Sequence, residues 1–193
     1  PILSKARDGK ALFFSSDFTC ASCHQLKGLS ASEEPFTSFE YHNIGVPENA
    51  HLRSFNGVTT VDLGLFNNPA AAQEEHKGKF KVPTLRNVAV TAPYMHNGIF
   101  QELETVLHFY EHAKVRARML TNDTLVNTTI NPETGLAFKV AEVNQNIEQD
   151  LLGGNDIDLT TERIEDLVCF MMSLTDAKFE HLLDEQKVES CGL

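Results

Sequence analysis

The chain has 193 residues, 41% of them apolar, with 16 Lys and Arg against 27 Asp and Glu for a formal net charge of −11. That is enough chain for one domain with a real core, and the acidic balance argues against nucleic acid and for solubility or docking to a basic partner. No apolar run reaches the ~18 residues of a membrane span, and no secretory leader is visible at the start.

In chain order, Ser4 to Phe14 reads as a first helix, with Ala6, Ala11, Leu12 and Phe14 as its apolar positions, closing in the polar turn Ser15-Ser16-Asp17. Cys20-Ala21-Ser22-Cys23-His24 follows. C-x-x-C alone suits a redox dithiol or half a zinc site equally well. The adjoining histidine makes it the attachment signature of a c-type haem, in which both thiols add across porphyrin vinyl groups and His24 is the proximal iron ligand. Cys169 and Cys191 stand outside the motif. In an oxidising compartment they pair or remain separate thiols, and both readings stay open. Covalent haem attachment normally takes place outside the bacterial cytoplasm, so the expectation is a periplasmic or otherwise exported protein, with Pro1 as the start of a processed or truncated chain.

Gln25 to about Lys81 carries Gly28, Pro35, Gly45, Pro47, Gly57, Gly64, Pro69 and Gly78 and has no sustained helical period. So long a loop is unusual in an ordinary domain, but around a haem it can pack on the porphyrin. Asn97-Gly98 is a turn. A second helix is predicted from Gln101 to about Ala113, because Leu103, Val106, Leu107 and Tyr110 recur at i, i+3, i+4 and i+7. Asn131-Pro132 and Gly153-Gly154 mark turns, with helix predicted around Ala137 to Leu152. A last helix is predicted from Thr161 to Leu174, N-capped by Thr160 and buried through Ile164, Leu167, Val168, Met171 and Leu174. The expected division is a c-type cytochrome domain over 1–176 and a polar surface tail over 177–193.

Two stretches are distinctive: Gly78-Lys79-Phe80-Lys81-Val82-Pro83-Thr84-Leu85-Arg86-Asn87-Val88 and Thr91-Ala92-Pro93-Tyr94-Met95-His96-Asn97-Gly98. Asp8 to Phe13, Tyr41 to Pro47, Asp62 to Leu65 and Asp166 to Phe170 accompany them in order. With the haem motif upstream, the set resembles the C-terminal haem domain of the bacterial di-haem cytochrome c peroxidase and MauG family. The resemblance covers most of residues 4–112 and 159–176. It implies an all-α, cytochrome c-like haem domain with long irregular loops. It also implies haem c, a second haem domain or subunit where hydrogen peroxide is cleaved, and an electron-donor or protein-substrate redox partner. On this reading the chain is the electron-transfer half of a peroxidase-type oxidoreductase. The alternative is a mono-haem c-type cytochrome that docks to a redox partner and lacks peroxidase activity.

The resemblance also assigns residues. The sixth iron ligand of this haem lies 14 residues after the histidine corresponding to His96, as Met in the peroxidases and Tyr in MauG-like proteins, which here is Tyr110. Met95 and Met119 are rival ligands, Met95 being read as packing. His96 is read as a hydrogen-bonding residue beside the haem or as a structural histidine of its turn. Arg86 is expected opposite a haem propionate, where a guanidinium binds bidentately, or in a surface ion pair. His42, His51, His76, His108, His112 and His181 are read as structural or solvent-facing. The family binds calcium between its haems near the loop from Asp62 to Pro69, and calcium is accordingly possible in a full di-haem protein. Phe18 stands where MauG has a tryptophan that relays oxidising equivalents, so that relay is not expected here.

Overall fold

The computed structural model describes residues 3–26, 34–111, 130–148 and 159–193. Two compact units emerge, each built from separated stretches of chain: Pro1–Glu40, Val82–Ala92 and Ile157–Leu193 in the first, Tyr41–Lys81 and Pro93–Asp156 in the second.

The first unit is organised on two helices, α1 (Leu3–Phe13) and the helix Thr161–Met172. Their packing is close because Gly9 offers no side chain: a Cβ there would lie 1.9 Å from the Asp166 carbonyl oxygen. Ala6 and Phe13 of α1 meet a face on which Ile164, Leu167, Val168, Phe170 and Met171 are all buried. Phe13 packs on Phe170 with centroids 5.2 Å apart, and Phe36 adds a third ring 6.1 Å from Phe170. Thr160 caps the second helix as predicted, its hydroxyl accepting from the Arg163 N–H at 3.3 Å. The segment Val82–Ala92 joins through the Asn87 N–H, which donates to the Leu174 carbonyl at 3.1 Å.

Residues 177–193, expected as a surface tail, are mainly exposed but folded. Asp184 caps a helix over Glu185–Cys191, accepting from the N–H groups of Gln186 and Lys187. Cys191 is buried and disulfide-bonded to Cys169, which settles the cysteine alternative in favour of pairing. Between α1 and these elements lies the one-turn helix α2 (Cys20–Cys23). In chain order the helices are thus α1, α2, α3 (Ala50–Asn56), α4 (Leu103–Glu111), α5 (Thr161–Met172) and α6 (Glu185–Cys191).

The second unit buries Val46, Phe100, Phe109 and Phe138 as its core. It also departs from the all-α expectation. β1 (Tyr41–His42) pairs antiparallel with β2 (Phe80–Lys81), and β3 (Ile130–Asn131) with β4 (Leu136–Ala137). The long irregular region contains α3, which periodicity missed because the helix is short and open to solvent, with Phe55 86% exposed. Its start is fixed by the Asn49 side chain accepting from the Leu52 N–H, and its end by Gly57 at φ 70°. Arg53 on α3 holds the Thr60 carbonyl, the Glu142 carboxylate and, at 3.1 Å, Glu48.

The helix predicted over Ala137–Leu152 is overturned across its described part. Residues 138–148 are irregular, because their backbone groups are used laterally: the buried Asn43 side chain donates to the carbonyls of Val143 (3.1 Å) and Gln145 (2.8 Å), and the Glu142 N–H donates to Val46 O. Gly78 (φ 77°) makes room for this clamp, since a Cβ there would sit 2.5 Å from the Asn43 amide nitrogen. The expected helix from Gln101 is observed as α4, starting two residues later; its predicted end at Ala113 lies outside the described residues.

Candidate functional site

In the first unit the fold presents Cys20, Cys23 and His24 together. Thr19, at φ 53°, turns the chain into α2, and the His24 N–H closes the turn on the Cys20 carbonyl at 3.0 Å. Neither cysteine is disulfide-bonded, and both are half-buried. Burial pushes the Cys20 thiol up to about 12. A redox dithiol works as a thiolate and is found where the pKa is lowered, so a protonated Cys20 does not suit that role. Among the described residues no group of three or more His, Cys, Asp and Glu side chains could hold a metal ion.

The His24 imidazole faces the Phe36 and Pro83 carbonyls. Its Nδ1–H donates to the Phe36 carbonyl at 3.0 Å. Burial pushes its pKa down, against the opposing pull of the Phe36 and Pro83 carbonyls. A neutral ring with Nδ1 protonated and anchored keeps its lone pair on Nε2, the tautomer that ligates a metal. Two thiols followed by a histidine in this tautomer fit a covalently attached haem.

The carbonyl that holds His24 is itself held. Phe36 is buried and adopts φ 51°, a left-handed conformation that costs a non-glycine residue roughly 1 kcal/mol or more. Its neighbours are tied down on both sides. The Thr84 hydroxyl donates to the Pro35 carbonyl at 2.6 Å, Arg86 Nε donates to the Glu34 carbonyl at 2.9 Å, and the buried Thr37 hydroxyl donates to Val82 O at 2.7 Å. The Ser38 N–H reaches back to the Cys23 carbonyl at 2.7 Å. Arg86, expected opposite a propionate, thus has its guanidinium on Glu34, with the carboxylate 3.8 Å away, and over the Phe36 ring at 5.2 Å.

In the second unit Tyr110 lies on α4, but the buried pattern differs from the predicted stripe. Leu103, Leu107, Thr105 and Phe109 are buried, while Val106 and Tyr110 are half-buried. At about 100° per residue the buried pairs 103/107 and 105/109 flank Val106 and Tyr110. The middle of that arc is therefore more open than its edges. Met95 (φ 68°) packs against the same core, in keeping with its reading as packing. Met119 and His112 lie outside the described residues.

His96 sits on the turn closed by the Tyr94 N–H to Phe100 carbonyl bond (2.7 Å) and by Asn97, whose Nδ2 donates to Pro47 O (2.8 Å). Its ring stacks on Phe80, with centroids 3.4 Å apart and planes at 10°. One face is thus covered while the edge stays exposed. Burial pushes its pKa down to about 4 even though Asp62 opposes the shift. Of the other histidines, His42 donates from Nδ1 to Glu148 at 2.6 Å, His76 from Nδ1 to the Ala71 carbonyl at 2.8 Å, and His108 is 3.2 Å from Glu111, while His51 and His181 are exposed. Sequence reasoning missed Phe36, whose carbonyl accepts from His24, Thr84, which donates to the Pro35 carbonyl, and Phe80, which stacks on His96. The last two lie in the distinctive 78–88 stretch, but their partners are distant in sequence.

No family model matches the chain. MauG of Paracoccus denitrificans (strain Pd 1222) is 41% identical over 174 residues, 88% of this chain and 42% of that protein. The cytochrome-c peroxidase IdrP2 of Pseudomonas sp. (strain SCT) is 32% identical over 71% of this chain and 39% of its own length. The crystal structure of the diheme peroxidase BthA from Burkholderia thailandensis E264 superposes on 97% of this chain and 46% of that one, with a TM-score of 0.70 and 25% identity. The chain therefore spans less than half the length of these relatives.

Proposed function

The chain belongs to the MauG and di-haem cytochrome c peroxidase family, and from that membership we propose that it is the electron-transfer half of a peroxidase-type oxidoreductase that uses hydrogen peroxide. The observation that carries the reading is the His24 ring anchored by Nδ1 immediately after two half-buried thiols. Haem c, when bound, supplies a one-electron iron couple.

The chain's own residues do the rest. Cys20 and Cys23 bind the group covalently, and His24 offers Nε2 as the proximal ligand. Tyr110 is the proposed opposite ligand. As a phenolate it is an anionic oxygen donor and favours ferric over ferrous iron, whereas a thioether favours the reverse. Val106 and Tyr110 both pack, half-buried, against the same apolar core. His96, neutral at pH 7 and stacked on Phe80, serves as a hydrogen-bonding neighbour. Arg86, half exposed, is the cation proposed to share its guanidinium between Glu34 and a propionate. Were His24 and Tyr110 both to hold the iron, no position would remain for peroxide, and its cleavage would belong to a second haem domain or subunit. Calcium between the two haems and export to the periplasm complete the proposal. Among the described residues no helix is long and apolar enough to cross a membrane.

The test is a haem count by pyridine haemochrome on the native protein, with EPR of the ferric form and a peroxide titration. Two haems, one high-spin and one low-spin, with peroxide consumption support the reading. A single low-spin haem without peroxide turnover overturns it in favour of an electron-carrying cytochrome.

A further inference from the structure

We propose that Thr84 is a positioning residue for the axial histidine, acting through the left-handed backbone of Phe36. The inference rests on the reading of His24 as a haem ligand and deepens it. Phe36 is large, buried and lies at φ 51°, where a side chain is disfavoured. Such a conformation persists only where the surroundings impose it. Here it turns the Phe36 carbonyl onto His24 Nδ1 at 3.0 Å.

The imposing contacts come from the segment Val82–Arg86. The Thr84 hydroxyl donates to the Pro35 carbonyl at 2.6 Å, one residue before Phe36, and accepts from the Arg86 N–H at 3.1 Å. A single hydroxyl therefore fixes residue 35 against the backbone that also brings Arg86 Nε onto the Glu34 carbonyl. On the other side Thr37 is bonded to Val82 O. Thr84 is exposed and makes no contribution to the buried core. Its hydrogen bonds thus account for its place better than packing does.

The consequence is electronic. A carbonyl held on Nδ1–H makes the imidazole a stronger donor through Nε2, which favours ferric iron; a loosened carbonyl does the opposite. Thr84→Val keeps the shape and removes the donor, and Thr84→Ser keeps the donor and trims the methyl.

The experiment uses the full chain with haem attached, comparing wild type, Thr84→Val and Thr84→Ser. Haemochrome spectra are taken first. The midpoint potential and the exchange rate of the His24 Nδ1–H, by NMR on the ferrous low-spin form, follow. The expected result is a higher potential and exchange about tenfold faster in Thr84→Val, the factor set by one hydrogen bond, with Thr84→Ser restoring both. Haem attached and neither quantity moved in Thr84→Val overturns the proposal alone. Failure of Thr84→Ser to restore them does the same. If Thr84→Val does not fold, wild type decides: a Nδ1–H exchanging as fast as a free imidazole overturns the proposal, and a protected one supports it. Absence of attached haem in wild type overturns the underlying reading and the proposal together.

Discussion

At the scale of single residues, the structure separates groups that bind from groups that orient. Cys20 and Cys23 are the proposed binding groups, and replacing both with Ala should abolish covalent haem, measured as loss of colour on a denaturing gel stained for haem. Tyr110 is the proposed ligand that sets the potential. Tyr110→Met should raise the midpoint potential on the order of 0.1 V, inside the ~0.8 V range that axial ligands span. An unchanged potential and an unchanged ferric spectrum would remove Tyr110 from the iron.

His96 carries a pH dependence of definite sign. Its pKa is about 4 in the folded protein against an ordinary 6.5. Between those values the unfolded chain takes up a proton that the folded chain refuses, so stability falls as pH drops from 6.5 toward 4. His96→Phe keeps an aromatic ring on Phe80 and removes the proton. Its thermal midpoint should decline less steeply over that window than that of wild type, and parallel curves would contradict the assignment.

At the scale of elements, the α1–α5 contact depends on a residue with no side chain. Gly9→Ala puts a Cβ against the Asp166 backbone at 1.9 Å. Backbone does not yield as a flexible side chain does, so the helices must separate. Overpacking of this kind typically costs about 1–3 kcal/mol, and the variant belongs at the upper end. Urea denaturation should show that loss with the slope unchanged. By contrast the Lys5–Glu165 ion pair on the same two helices is exposed and screened by solvent, and Lys5→Ala should leave the urea midpoint essentially unchanged. Both helices were legible in the sequence, α5 through an apolar period of 3.6 residues and α1 through apolar positions just ahead of the haem motif. α3 and the two β pairings were not. They span seven and two residues, too few to show a period, and their placement is set by side-chain clamps such as Asn43 and Arg53.

At the scale of the whole molecule, each unit is assembled from stretches far apart in the chain. The Cys169–Cys191 disulfide pins α6 to α5 across a sequence separation of 22. Closing a loop of that length stabilises by about 3 kcal/mol in the chain-entropy account. The double replacement by Ser should lower the free energy of unfolding by roughly that amount and leave haem attachment intact. A loss of attachment would show that the tail reaches further into the fold than its exposure suggests.

The sequence by itself determined what is written in adjacent residues. The haem motif, α1, α4 and α5 with its Thr160 cap, and the family resemblance all reside in local spacing. Tertiary structure alone decided the rest: that Cys169 meets Cys191, that Phe36 turns its carbonyl onto His24, that Phe80 lies on His96, and that residues 138–148 are clamped coil instead of helix. Each of those outcomes depends on a contact between residues separated by 12 or more positions. Local propensity carries no record of such contacts, because the groups that satisfy one backbone or ring are chosen by folding and not by neighbouring sequence.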